Sequence, residues 1–109
     1  MTPLSSLILA KLRREHVGMA RAIQRRDLLA WLWANGVQTT DRKVRYAVKE
    51  LGCVCMGSGG YFLAANTDEA RASIEYLKRK IFPLWEDIKA LQLAYPELAQ
   101  GNLFEEGMR

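Results

Sequence analysis

The sequence predicts a mainly α-helical chain with one small β-hairpin, an α+β domain followed by a long C-terminal helix. Three observations predict it. Apolar residues recur at helical spacing in three short segments before Gly52. The glycine-rich run Gly57-Ser58-Gly59-Gly60 separates two β-compatible segments. Beyond Asn66, an apolar seam alternating by four and three residues extends to Tyr95.

The first helix is expected from Leu4 to about His16, just after Pro3. Leu4, Leu7, Ile8 and Leu12 form its apolar stripe, and Lys11, Arg13 and Arg14 fall outside it. Basic residues in its last turns suit the dipole there, and His16 near its end is read as a cap or surface residue. Val17 to Gln24, with Gly18, reads as a loop in which Ala22-Ile23-Gln24 is compatible with a very short strand. A second helix follows from about Arg25 to Ala34. Leu28, Leu29 and Leu32 are its core side, Trp31 and Trp33 flank that side as packing residues, and Asn35-Gly36 stops it. Val37 is expected to tuck between the helices. Thr39 or Thr40 N-caps the third helix, with Asp41 in its first turn and Gly52 at its end.

That third helix has two opposed stripes. At 100° per residue, Val44, Ala47, Val48 and Leu51 share one side, and Arg42, Arg45, Tyr46 and Lys49 share the other. The second stripe carries three cations and one aromatic, with Asp41 and Glu50 expected only on its flanks. A helix of this kind packs through its oily side and offers the other to a polyanion. The bland reading, a solvated basic face, is disfavoured because a plain surface helix interleaves acids with its bases.

The hairpin is expected as Cys53-Val54-Cys55-Met56, a turn over Gly57 to Gly60, and Tyr61-Phe62-Leu63-Ala64. Asn66 then N-caps the long helix, with Glu69 closing a capping box. Ala70, Ile74, Leu77, Ile81, Leu84, Ile88, Leu91 and Tyr95 form a heptad seam. Pro83 removes a backbone hydrogen bond and clashes toward the carbonyl of Arg79, so a kink or break is expected near Lys80–Phe82. A straight helix of this length spans on the order of 45 Å, more than the front domain covers. The seam therefore calls for a second helix, either its own second half folded back at Pro83 or the same helix of another copy. Homodimerisation through Ile74, Leu77, Ile81, Leu84, Ile88 and Leu91 is the expectation. The organisation expected is residues 1–65 as the domain, 66–96 as the helix and 97–109 as a flexible tail.

Charge is divided along the chain. Net charge is +4, yet residues 1–66 hold ten Lys/Arg against four Asp/Glu, and residues 67–109 hold six against eight. A basic front and a near-neutral rear point to nucleic acid at the front. Cys53 and Cys55, with a single histidine, do not have zinc-site spacing and are read as small apolar fillers in a reducing compartment. No stretch approaches a membrane span, and the start lacks the features of a signal peptide, so a cytoplasmic location is expected. No nucleophile–base pair, phosphate loop or ligand cluster is present in the sequence. It is therefore not read as an enzyme, and no metal or cofactor is expected.

The order helix, short strand, helix, turn, helix, hairpin resembles the winged helix-turn-helix plan. The resemblance is carried by Ala22-Ile23-Gln24-Arg25-Arg26-Asp27-Leu28-Leu29, by Thr40-Asp41-Arg42-Lys43-Val44-Arg45-Tyr46-Ala47-Val48-Lys49-Glu50-Leu51-Gly52, and by Gly60-Tyr61-Phe62-Leu63-Ala64. The chain looks like the small winged-helix proteins of bacteriophages and prophages over residues 4 to about 80. The resemblance implies a third helix in the major groove of double-stranded DNA, a second helix across the backbone, and a hairpin turn at phosphate or the minor groove. It makes Arg42, Arg45, Tyr46 and Lys49 the groove-facing set, Arg25 and Arg26 phosphate contacts, and Ser58 the wing contact. Two departures stand out: Gln24 occupies a position where Ser or Thr is usual, and the wing tip has no Lys or Arg. The implied role is transcription regulation or phage replication or recombination. The competing reading is a winged-helix docking or dimerisation module without direct DNA contact, binding another protein through an aromatic patch of Trp31, Trp33, Phe82 and Trp85.

Overall fold

The computed structural model describes residues 1–97. Among them are four α-helices and one two-stranded antiparallel sheet, in the order α1 (Pro3–Glu15), α2 (Arg25–Ala34), α3 (Asp41–Leu51), β1 (Cys55–Gly57), β2 (Gly60–Phe62) and α4 (Thr67–Ala94). The chain forms two compact units, Met1–Leu77 and a second beginning at Lys78.

In the first unit, each helix begins and ends where local chemistry directs. The Thr2 hydroxyl accepts from the Ser5 amide, with Pro3 at the start of α1. Thr40 caps α3 by accepting from the Lys43 amide, and Gly52 closes it in the left-handed region at φ 74°. Asn35 and Gly36 end α2 as expected. The core gathers Ile8 and Leu12 from α1, Leu28 and Leu32 from α2, Val44, Ala47 and Val48 from α3, and Tyr61 from β2. The predicted apolar faces of all three helices thus meet, with Leu4, Leu7 and Leu29 half-buried beside them.

Of the four buried polar residues, Ser5, Lys11, Thr39 and Ser73, the first two lie on α1. Ser5 is buried and its hydroxyl donates to the Glu50 carboxylate at 3.2 Å, tying α1 to α3. Lys11, expected on the solvent side of α1, is only 5% exposed. Its ammonium lies 4.7 Å from the centre of the Trp31 ring and 2.8 Å from a Glu15 carboxylate oxygen. Long lysine stems cover apolar surface when the head finds partners, which is why a charged residue outside the stripe is buried here.

The hairpin is tighter than expected. Gly57 pairs with Gly60, so the turn is only Ser58-Gly59, and β1 starts at Cys55. Cys53 lies outside the strand and is exposed, which corrects the expectation that it fills apolar space; Cys55 is half-buried, and both are free thiols. Ile23 forms a bridge with Tyr61, each amide donating to the other's carbonyl at 2.9 and 2.8 Å. The short strand expected at Ala22-Ile23-Gln24 is thus a single bridged residue on the far side of β2. The approach is close enough that a Cβ on Gly60 (φ 110°) would sit 2.1 Å from the Ile23 carbonyl oxygen, so only glycine fits. On the other edge, the buried Ser73 hydroxyl accepts from the Met56 amide at 2.8 Å and donates to the Met56 carbonyl at 2.9 Å. The side chain of α4 thereby caps the open edge of β1.

The start of α4 follows the predicted box with a shift. Asn66 accepts from the Glu69 amide, while the Glu69 carboxylate reaches back to the Ala65 amide and also accepts from the Met19 amide, both at 3.0 Å. Because Glu69 and Ser73 bond to this unit, it extends to Leu77, beyond the boundary expected at residue 65. Of the kink or break expected near Lys80–Phe82, the break does not occur in the second unit, because α4 continues through Pro83 as one helix. Ile81, Phe82, Leu84, Trp85 and Leu91 are exposed there, and Ile88 is half-buried. The tail expected over residues 97–109 lies, beyond Glu97, outside the described residues.

Candidate nucleic-acid interface

The amphipathic character of α3 decides the geometry of the candidate site. Its apolar side is held against α1 and α2, which turns the opposite side to solvent. Arg42, Arg45, Tyr46 and Lys49 are all exposed, Tyr46 at 59%. Arg42 donates to the Tyr46 hydroxyl at 3.4 Å, and its guanidinium carbon lies 5.6 Å from the centre of the Tyr46 ring. Arg42, Arg45 and Tyr46 line a shallow, open depression of about 180 Å³.

The stripe is not free of acid, as the sequence pattern had suggested. One Asp41 oxygen lies 2.8 Å from Arg25 Nε and the other 3.5 Å from Arg45 Nε. This carboxylate joins the first turn of α2 to α3 and places the two guanidinium groups side by side. The correction has a simple origin. Asp41 and Arg45 are one helical turn apart, so the Asp41 side chain leans onto the cationic face and not only its flank. Both guanidinium groups are exposed and Asp41 is partly so, which keeps such pairs weak.

Tyr61 sits beneath this cluster. Burial raises its phenol above the ordinary tyrosine value, while the neighbouring Arg25 pulls in the opposite direction. The hydroxyl is therefore neutral at physiological pH.

Arg26 points to solvent and is 87% exposed, with Asp27 3.9 Å away. Ser58 is exposed at the hairpin turn. Gln24 makes no side-chain cap for α2; its amide instead donates to the Ser58 carbonyl at 3.2 Å. The residue that departs from the usual cap thus fastens the hairpin tip to the start of α2. Arg25 is brought to α3 by the Asp41 link, and Ser58 is held at the start of α2 by Gln24. Lys43, which the stripe analysis passed over, is a further exposed cation of α3 without a carboxylate partner among the described residues. Its adjacency to Arg42 in sequence was the available signal.

The remaining predicted residues have other occupations. Trp31 lies under Lys11, and the Trp33 indole N–H donates to the Thr39 carbonyl at 2.9 Å. His16 caps α1, with Nδ1 2.7 Å from the Arg21 carbonyl oxygen. Among the described residues, no three His, Cys, Asp or Glu side chains are grouped to hold a metal ion, and no helix is long and apolar enough to cross a membrane. Comparison with known proteins returned no matching family model, no matching curated protein and no matching solved structure.

Proposed function

We infer that this chain is a winged helix-turn-helix protein that binds double-stranded DNA through α3 and self-associates through α4. The carrying observation is the outward face of α3. Arg42, Arg45 and Lys49 are exposed together on a helix whose other side is committed to the core. Arg25 beside Arg45, and the hairpin tip fastened by Gln24, give the flanking contacts that such a domain makes to the backbone. In this reading a phosphate displaces Asp41 from Arg25, while Arg42 or Arg45 reaches a guanine edge, a contact worth about 1–3 kcal/mol of base discrimination. The proposed role is transcription regulation or phage replication or recombination.

The test is fluorescence anisotropy on double-stranded DNA across salt. With about five phosphates neutralised, log affinity should fall against log salt with a slope of roughly −4 to −5. Arg42→Ala/Arg45→Ala should flatten the slope by about 2 and weaken binding at least about tenfold. Asp41→Asn should tighten non-specific binding by releasing two guanidinium groups. Wild-type affinity in the double variant overturns the assignment.

A further inference from the structure

We propose that Arg42 and Tyr46 act together as one reader of base sequence, selecting a guanine whose neighbour on the same strand carries a 5-methyl group, a thymine or a methylated cytosine. The inference rests on the duplex binding just inferred and adds which side chains read the bases and what they read.

The cations at the start of α3 are not equivalent. Arg25 and Arg45 are both tied to the Asp41 carboxylate, at 2.8 and 3.5 Å. Among the described residues, Arg42 has no carboxylate partner. It donates to the Tyr46 hydroxyl at 3.4 Å, and its guanidinium carbon lies 5.6 Å from the centre of that ring. Tyr46 is outside the core cluster and exposed, and with Arg42 and Arg45 it lines the open depression on this face. Because Arg42 engages its hydroxyl, the ring itself is the surface that Tyr46 offers.

Arg42 stands in the first turn of α3, the part of such a helix that meets base edges. A guanidinium donates two parallel hydrogen bonds to guanine O6 and N7. An aromatic neighbour that already holds the guanidinium lessens the ordering lost on binding. The Tyr46 ring requires an apolar partner beside that guanine. In the major groove the edges of the four bases display one apolar group, the thymine 5-methyl. Cytosine carries the same group once methylated. Guanine N7 and the pyrimidine 5-carbon both lie toward their own strand's side of the groove. Adjacent bases of one strand therefore present the two features side by side, about 3.4 Å apart along the axis. Two side chains one helical turn apart on one face reach both. Arg45, tied with Arg25 to Asp41, serves the phosphates instead.

Fluorescence anisotropy of the full chain on alternating duplexes tests this. The first duplex alternates thymine and guanine on one strand, and the second has uracil in place of each thymine. Only the methyl group differs, and the protein is unchanged. The wild-type chain should bind the thymine duplex about three- to fourfold more tightly, the effect of burying one methyl group. Methylating the alternating cytosine–guanine duplex should tighten binding by the same factor. Tyr46→Ala should abolish both differences, and Tyr46→Phe, which keeps the ring, should retain them. Arg42→Lys should lose at least about fivefold on the guanine-containing duplexes and little on alternating adenine–thymine. Arg45→Ala should weaken every duplex by one common factor.

Equal wild-type affinity for the thymine and uracil duplexes overturns the proposal and leaves duplex binding standing. A methyl preference that survives Tyr46→Ala, or a guanine preference lost with Arg45 and kept without Arg42, overturns it as well. Tighter binding to the single thymine–guanine strand than to its duplex overturns it in favour of the ring stacking on an unpaired base. Absence of binding to every duplex overturns both inferences.

Discussion

Lys11 shows how much of this small domain depends on single polar residues placed inside it. Its stem packs in the interior while its ammonium serves the Trp31 ring and Glu15. Lys11→Ala should cost about 1–2 kcal/mol in urea unfolding through lost packing, and Lys11→Met less than about 1 kcal/mol because the stem is kept. The pair also sets an acid dependence. The hydrogen bond from Lys11 holds the Glu15 carboxyl below its usual range. A carboxyl depressed in the folded state contributes stability above its unfolded value and loses it as pH falls through the folded one. Lys11→Met should therefore lose less stability than wild type between neutral pH and about pH 3, a difference read from unfolding midpoints at each pH. Gly60 is constrained from the opposite direction, by lack of space. Gly60→Ala places a methyl against the Ile23 carbonyl in a backbone region that alanine avoids, and should cost at least about 2 kcal/mol in the same measurement.

Among the elements, the two-stranded hairpin is the least able to stand alone, since so short a ribbon is marginal in water. It is held on both edges. Ile23 pairs with β2 through two backbone hydrogen bonds, and Ser73 of α4 satisfies both polar groups of Met56 on β1. Ser73→Ala strips both Met56 groups of their partner in a half-buried setting. It should cost about 1–3 kcal/mol, with faster hydrogen exchange at the Met56 amide as the local signature. Helix α3 needs less help, because Thr40 and Gly52 close its ends and its apolar stripe faces the core. Its cationic face was legible from residue spacing alone. The Asp41 link to Arg45 was legible by the same four-residue rule, and only the link to Arg25 required the packing of α2 on α3.

At the scale of the whole molecule, α4 belongs to both compact units. Its first turns complete the Met1–Leu77 unit, since Glu69 holds the Met19 and Ala65 amides and Ser73 holds β1. A chain ending at Leu77 should therefore keep a cooperative thermal transition, seen by circular dichroism, and be monomeric in sedimentation at concentrations where the self-association proposed for the full chain is measured. A chain ending at Ala65 should lose that transition, because both anchors are gone. The sequence indicated the long helix and its seam through the heptad spacing. The continuity through Pro83 could not be read there, because the local cost of a proline is set against the hydrogen bonds and contacts of the turns on either side.

The sequence by itself determined the existence and approximate limits of α1, α2 and α3, the closing residues Thr40 and Gly52 of α3, the presence of a hairpin and the two-sided character of α3, because each depends on residues within about one turn or one strand pair of one another. Tertiary structure alone decided the burial of Lys11 under Trp31, the sharing of Asp41 between α2 and α3, the exclusion of any side chain at Gly60 and the anchoring of β1 by Ser73. Those contacts join residues far apart in the chain. Their geometry exists only once the helices have docked, and no local spacing encodes it.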